Sequence, residues 1–308
     1  MILVTGGCGF IGRALVRRLA ECGEQVRVLD DLSRGQHAEG MINGDVRHSH
    51  TVVRAARGCS EIIHLASING TDSFYQRPGD VLDIALKGIS NVVDAARVHG
   101  VSRMTLASSS VVYGHAAEMA EDAPLSVPDA FNPFWSYGAG KIASEMFAIH
   151  SGAFEHVQIF RPFNVYGPGM QLGHVVPDFV AQMRVKMGLS GLIDFEIIGD
   201  PAAARSFCYI DDLVDGIMII REKGDAGIYN IGTPVVTTVG ELAHEIASLF
   251  GRKIRLKTAR EHKGNVQYRK PDIKKLMALG FQPKVDLRSG LQRILEEDHG
   301  MSGLRGAA

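Results

Sequence analysis

Tyr137 and Lys141, in the segment Ser136-Tyr137-Gly138-Ala139-Gly140-Lys141, stand four residues apart. On a helix that spacing puts a phenol and an ammonium on one face, a turn apart. Such an ammonium favours the phenolate and lowers the Tyr pKa, which equips the phenol to act as a base near neutrality. Two further clusters accompany the pair. Ser108, Ser109 and Ser110 close an apolar run, and Val4-Thr5-Gly6-Gly7-Cys8-Gly9-Phe10-Ile11-Gly12 joins an apolar run to an amphipathic one. Glycines at 6, 9 and 12 suit a tight turn, close backbone approach to a pyrophosphate, and close helix–strand packing. A helix beginning there presents free N–H groups and a positive dipole end to phosphates. Asp30 closes the second apolar run, where a carboxylate accepts the ribose hydroxyls of adenosine and repels a 2′-phosphate, so NAD is expected over NADP. Arg34, nearby, reads as a solvated loop residue. Asp45-Val46 either contacts the adenine or forms a plain turn.

The elements that must carry these groups follow from apolar patterning. Apolar runs at 2–4, 25–30, 61–65, 103–107 and 157–160 read as buried parallel strands. Between them, 10–21, 49–57, 81–99 and 136–150 carry apolar residues at helical spacing. The alternation predicts an α/β fold with a doubly wound parallel sheet, a Rossmann arrangement. After Tyr166-Gly167-Pro168-Gly169 the pattern is less regular, with helices expected near 175–187, 211–221, 238–250 and 286–297 and strands near 194–198 and 228–231. The expected organisation is an NAD-binding unit over 1–165 and a smaller, partly interleaved substrate lobe over 166–308. The Lys- and Arg-rich stretch from 252 to 275 reads as a solvated surface.

Composition narrows the classes. The 308 residues suffice for a substantial core; 45% are apolar, 22% charged, and the net charge is -1. That balance gives no reason to expect a nucleic acid or an anionic membrane as a partner. The four cysteines (Cys8, Cys22, Cys59, Cys208) are scattered without a CxxC pair, so neither a disulfide framework nor a metal site is indicated. No stretch is long and apolar enough to span a bilayer. The first strand begins at residue 2, leaving no room for a signal peptide, and a cytoplasmic location is expected.

With these residues in place, the chain resembles the extended short-chain dehydrogenase/reductase family, and within it the nucleotide-sugar epimerases and dehydratases. The resemblance rests on the glycine fingerprint, Asp30, Asp45-Val46, His64-Leu65-Ala66, Ser108 to Gly114, Tyr137 to Lys141, Arg161 to Gly169, Arg205 to Asp212 and Arg269 to Ile273. It implies Tyr137 as catalytic base, with Lys141 binding the nicotinamide ribose and tuning it. Ser109, four residues before Tyr113, would bind the sugar oxygen and relay its proton, with Ser110 a second candidate. Gly6, Gly9, Phe10, Ile11, Gly12, Asp30, Asp45, Val46, Leu65, Ala66 and Pro162 would hold the cofactor, and Phe163 would approach it through its backbone. Asn164 and Arg205 would bind the substrate diphosphate, and Val176-Pro177 would lie along the nucleotide. His64 is expected to be structural, and Phe134 and Trp135 to pack.

The resemblance also bears on the reaction. A 4,6-dehydratase needs an Asp-Glu pair where Ser110 and Val111 stand. UDP-glucuronate decarboxylases resemble the chain at Arg269-Lys270-Pro271-Asp272-Ile273, where their arginine reaches the substrate carboxylate, but they carry a Glu at the position of Val111. The Cys of GDP-fucose synthase-like enzymes is missing at that position too. C4 epimerisation through a transient 4-keto sugar is therefore expected first, on a UDP-glucose/UDP-galactose-type or UDP-hexuronate substrate. Behind it stand UDP-glucuronate decarboxylase, 4-keto-sugar reductase and, outside catalysis, an NAD-sensing scaffold. Ala85 replaces an Asn of many 4-epimerases, and a second diphosphate-binding Arg would align near His262 or Lys263. Arg269 either meets an acidic sugar or pairs with phosphate or an internal acid. Relatives pair the helices at 81–99 and 136–150, so a homodimer is expected.

Overall fold

Strand–helix alternation runs through the first half of the chain. β1 (Ile2–Thr5), α1 (Phe10–Glu21), β2 (Val26–Asp30), β3 (Ile42–Asn43), α2 (Ser49–Ala56) and β4 (Glu61–His64) lead into α3 (Thr71–Gln76) and α4 (Pro78–His99). β5 (Arg103–Ala107), α5 (Ser136–His150) and β6 (His156–Pro162) complete that half. The second half holds β7 (Val165–Tyr166), α6 (Val175–Lys186), β8 (Ile193–Ile198), β9 (Ala204–Arg205), β10 (Cys208–Tyr209), α7 (Ile210–Lys223) and β11 (Gly227–Ile231). It ends with β12 (Thr237–Thr238), α8 (Val239–Leu249), β13 (Ile254–Arg260), β14 (Tyr268–Arg269), α9 (Lys274–Ala278) and α10 (Leu287–Arg305). The structure, a computed structural model, describes residues 1–35, 37, 39–116, 118–188, 190–260 and 266–305.

Seven strands form one parallel sheet in the order β11-β6-β5-β4-β1-β2-β3. Successive side chains of a strand face opposite ways, so Ile2 and Val4 enter one core while Leu3 enters the other. Helices cover both faces, which is why β1 and β4 are buried along their whole length. β11 comes from the second half of the chain and pairs with β6. Three small sheets, β10-β7, β12-β9-β14 and β13-β8, complete the second half. Among the described residues no helix is long and apolar enough to cross a membrane.

Helix boundaries follow local chemistry. α4 ends where Gly100 turns left-handed at φ 66°, a conformation glycine adopts without steric cost. α8 opens on a capping box: the Thr238 side chain accepts the Glu241 N–H, and Glu241 returns the bond to the Thr238 N–H. Most of the described charges in the basic stretch after 252 are solvent-exposed, with Arg269 buried. Ile254 to Arg260 form β13 beside β8, with Arg255 and Lys257 both reaching Asp194 at 2.6 Å.

Candidate active site

Strand order reverses at β1, which has β2 on one side and β4 on the other, so a crevice opens beyond the carboxyl ends of these strands. The glycine-rich turn lies there. A Cβ on Gly12 would stand 2.2 Å from the Gly6 carbonyl oxygen, and one on Gly6, at φ 72°, would stand 2.7 Å from the Ala66 nitrogen. Asp30 locks this turn to the end of β2: one carboxylate oxygen accepts the Cys8 N–H at 2.9 Å, the other the Leu32 N–H at 2.8 Å. A carboxylate so fixed beside a bare backbone turn fits the adenosine ribose and pyrophosphate of a dinucleotide.

A pocket of about 370 Å³ runs from this turn to the end of β5 and on to β14. Of the residues assigned above to the cofactor, all but Phe163 line it: Gly6, Gly9, Phe10, Ile11, Gly12, Asp30, Asp45, Val46, Leu65, Ala66, Tyr137, Lys141 and Pro162. Ser109, Ser110, Asn164 and Arg269 share the same wall. The Asp45 carboxylate is engaged by Arg47 at 2.6 Å and 2.9 Å, and the Val46 carbonyl accepts the Asn91 amide at 2.8 Å. Asn164 holds φ at 32°, a region that asparagine tolerates better than most residues, and its amide donates to the Ser206 carbonyl at 3.1 Å.

Tyr137 and Lys141 occupy one face of α5, as their spacing requires, with the ammonium 5.7 Å from the ring centroid. Lys141 donates to the Ala107 carbonyl at the end of β5, at 2.7 Å. Burial pulls it down to about 8, with Glu145 opposing the fall. The expectation that the Lys141 ammonium lowers the Tyr137 pKa needs correction. Burial pushes the phenol up to about 12, and the hydroxyls of Ser109 and Ser67 oppose that rise only in part. Desolvating the charged form outweighs what nearby dipoles return. His64 is structural: Nδ1 meets the Thr5 hydroxyl at 2.6 Å, and burial followed by the Lys141 charge lowers it to about 3.

Three assigned residues lie off the pocket wall. Val176 is 2% exposed and packs in the core of α6, so its side chain is not placed to touch a nucleotide. Phe163 is likewise buried in a core cluster. Arg205 donates to the carbonyls of Ala204 at 2.9 Å and Gln267 at 3.2 Å, and it stands opposite Arg269 in the β9–β14 pair. His262 and Lys263 lie outside the described residues. Arg34 departs from its expected solvated state: it lines the pocket, burial lowers its pKa, and it donates to the Gln171 side chain at 2.9 Å. Phe134 lines the pocket while Trp135 is core. Ser67 and Phe74 were missed. Ser67 directly follows the His-Leu-Ala run, which was the available signal. Phe74 stacks on Tyr137 at 4.8 Å from a helix too short to show periodicity. Among the described residues no cluster of His, Cys, Asp and Glu is placed to hold a metal ion.

A model of the NAD dependent epimerase/dehydratase family matches residues 2–232. UDP-glucuronic acid decarboxylase 5 of Arabidopsis thaliana is 34% identical over 313 residues, covering 96% of this chain and 88% of the relative. Decarboxylase 3 of the same plant is 33% identical at the same coverage. Among solved structures, MoeE5 in complex with UDP-glucuronic acid and NAD superimposes with a TM-score of 0.85 at 28% identity, over 97% of this chain and 99% of that one. The UDP-glucose 4-epimerase of Thermus thermophilus in complex with NAD gives a TM-score of 0.84, also at 28% identity and with the same two coverages.

Proposed function

Since the chain belongs to the NAD-dependent epimerase/dehydratase family, we propose that it oxidises C4 of a UDP-hexuronate and releases the C6 carboxyl as CO2, as a UDP-glucuronate decarboxylase. Arg269 carries this reading. It is 8% exposed, lines the pocket with Tyr137, and its Nε has no hydrogen-bond partner among the described residues. Burial, then the neighbouring Arg205 charge, brings it down to about 9. A desolvated guanidinium facing another cation is costly until an anion meets it, and a carboxylate matches its fork. Relatives named as decarboxylases support placing CO2 release ahead of plain 4-epimerisation, which the sequence had put first.

Bound in its oxidised form, NAD supplies the hydride acceptor and adds a positive charge to the pocket, which favours the Tyr137 phenolate. Tyr137 takes the O4 proton as C4 becomes a ketone, and Ser109 holds the same oxygen. The C6 carboxylate is then β to the ketone. The C5–C6 bond breaks, CO2 leaves, and the electron pair moves into a C4–C5 enolate. C5 takes one proton from water, and Tyr137 returns its own proton to O4 as the ketone is reduced. One proton is consumed for each CO2 released.

A hexuronate 4-epimerase is the second reading, on one observation. Among the described residues the acids lining the pocket are Asp30, at the end of β2, and Asp31 and Asp45, in the loops after β2 and β3, so they sit at the β2–β3 side of the pocket rather than on the elements of Tyr137 and Ser109. Returning the hydride to the opposite face of the ketone needs no added acid. In either reading residues 1–165 hold the dinucleotide and 166–308 complete the sugar side. A second copy of this chain fits α4 and α5, which expose Leu86, Met146, Phe147 and Ile149.

The Arg269→Met variant tests the assignment of the carboxylate. It should raise the KM for UDP-glucuronate by about 30-fold or more, since truncating one side of a buried charge pair costs about 2 kcal/mol at least. Binding of UDP-glucose should change by less than about two-fold. Equal losses on the two nucleotides would remove Arg269 from this role.

A further inference from the structure

Behind the pocket, a chain of buried polar side chains joins the helix of Tyr137 to the strand of Arg269. Its first member is Glu145, one turn beyond Lys141 on α5 and 2% exposed. Glu145 accepts the Ser108 hydroxyl and, through both oxygens, the Arg161 guanidinium at 2.9 Å and 2.7 Å. Arg161 donates onward to the Tyr113 hydroxyl at 2.9 Å and lies 4.9 Å from the centre of that ring. The Tyr113 hydroxyl donates to the Asn230 side-chain oxygen at 2.7 Å. The Asn230 amide then donates to two carbonyls, Met119 at 2.8 Å and Asp272 at 3.0 Å. Asp272 returns its N–H to Met119 at 3.1 Å, and Pro271 forms an isolated bridge with Met119. Arg269 stands three residues before Asp272, at the end of β14.

An apolar core of equal volume would be about as stable as this array of buried ions and hydroxyls. What the array adds is fixed geometry, because its buried donors and acceptors are matched to one another and a mismatch leaves a buried group unpaired. Each end of the network lies close to the pocket: Ser108 lines it beside Ser109, Glu145 shares a helix with Tyr137 and Lys141, and Asp272 follows three residues after Arg269, which lines it. We infer that Tyr113 and Asn230 are positioning residues that hold the 269–272 segment against the catalytic helix, so that a sugar carboxylate on Arg269 leaves O4 at Tyr137. The inference rests on the reading of Arg269 given above.

Tyr113→Phe is the cleanest probe. It keeps the ring, including its contact with Phe163 at 6.1 Å, and removes only the hydroxyl between Arg161 and Asn230. Equilibrium binding of UDP-glucuronate and of UDP-glucose is measured on the NAD-loaded parent, Tyr113→Phe, Arg269→Met and the double variant. Tyr113→Phe should weaken UDP-glucuronate by about ten-fold and UDP-glucose by less than about two-fold. In the Arg269→Met background the same change should alter UDP-glucuronate binding by less than about two-fold, since there is no longer a guanidinium to place. Equal weakening of both nucleotides, an unchanged UDP-glucuronate affinity, or an undiminished effect in the double variant would overturn the inference. If Arg269→Met itself discriminates between the nucleotides and Tyr113→Phe does not, only the network role falls. If Arg269→Met discriminates nothing, the carboxylate reading falls and this inference with it. Asn230→Ser, which shortens the amide that spans Met119 and Asp272, supplies a second variant with the same expected pattern.

Discussion

Tyr137→Phe should lower kcat by about 10²–10⁴-fold, the usual contribution of a positioned proton transfer. The ring and its stacking on Phe74 at 4.8 Å are unchanged in this variant, so the fold and the pocket wall should persist. Lys141 keeps its bond to the Ala107 carbonyl, and NAD affinity should stay within about two-fold of the parent. Tyr137 is buried and held up to about 12, so the protein has gone against solvation to place a phenol there. Steady-state kinetics with a parallel NAD titration check both halves. A near-parental rate would take the base away from Tyr137.

The second large effect belongs to the glycine turn. A Cβ on Gly12 would meet the Gly6 carbonyl oxygen at 2.2 Å and the Gly7 Cα at 2.6 Å, both backbone atoms that cannot move without opening the turn. Gly12→Ala should therefore weaken NAD binding by about 100-fold or more and lower thermal stability together. Gly9 differs, since a Cβ there would touch only the Gly6 carbonyl oxygen, at 3.3 Å. Gly9→Ala should lose NAD affinity while costing less than about 1 kcal/mol of stability, because what it fills is the approach of the pyrophosphate. Calorimetric titration and thermal melting separate the two. Gly9→Ala with parental NAD affinity would place the pyrophosphate elsewhere.

Much of this site was legible in the sequence because its parts are periodic or bound to a turn. Apolar residues at helical spacing gave Phe10–Glu21 and Ser136–His150 their observed bounds, and the glycines at 6, 9 and 12 suited a tight turn and a close approach. Elements of one or two turns carry no such signal, so the helix at Thr71–Gln76 and Phe74 upon it were not foreseen. Environment was the other blind spot. Spacing placed Lys141 beside Tyr137 correctly, yet the direction of the Tyr137 shift is set by burial, which spacing does not encode. The same holds for Arg34, drawn into the pocket wall by Gln171, 137 residues later in the chain. Val176 shows the converse: an apolar residue at helical spacing took the ordinary core position.

Whether hydride leaves C4 of an acidic sugar and comes back within the same pocket is tested most directly by following the C4 hydrogen of UDP-[4-²H]glucuronate. The NAD-loaded protein is supplied with this substrate in ordinary water, without added NADH, and the products are read by NMR with trapping of CO2. The expected product is a UDP-pentose that retains deuterium at C4 and carries one solvent hydrogen at C5, with one CO2 for each turnover. Recovery of unchanged UDP-glucuronate, or loss of the C4 deuterium to solvent, would contradict the oxidation and return of hydride on which the account depends.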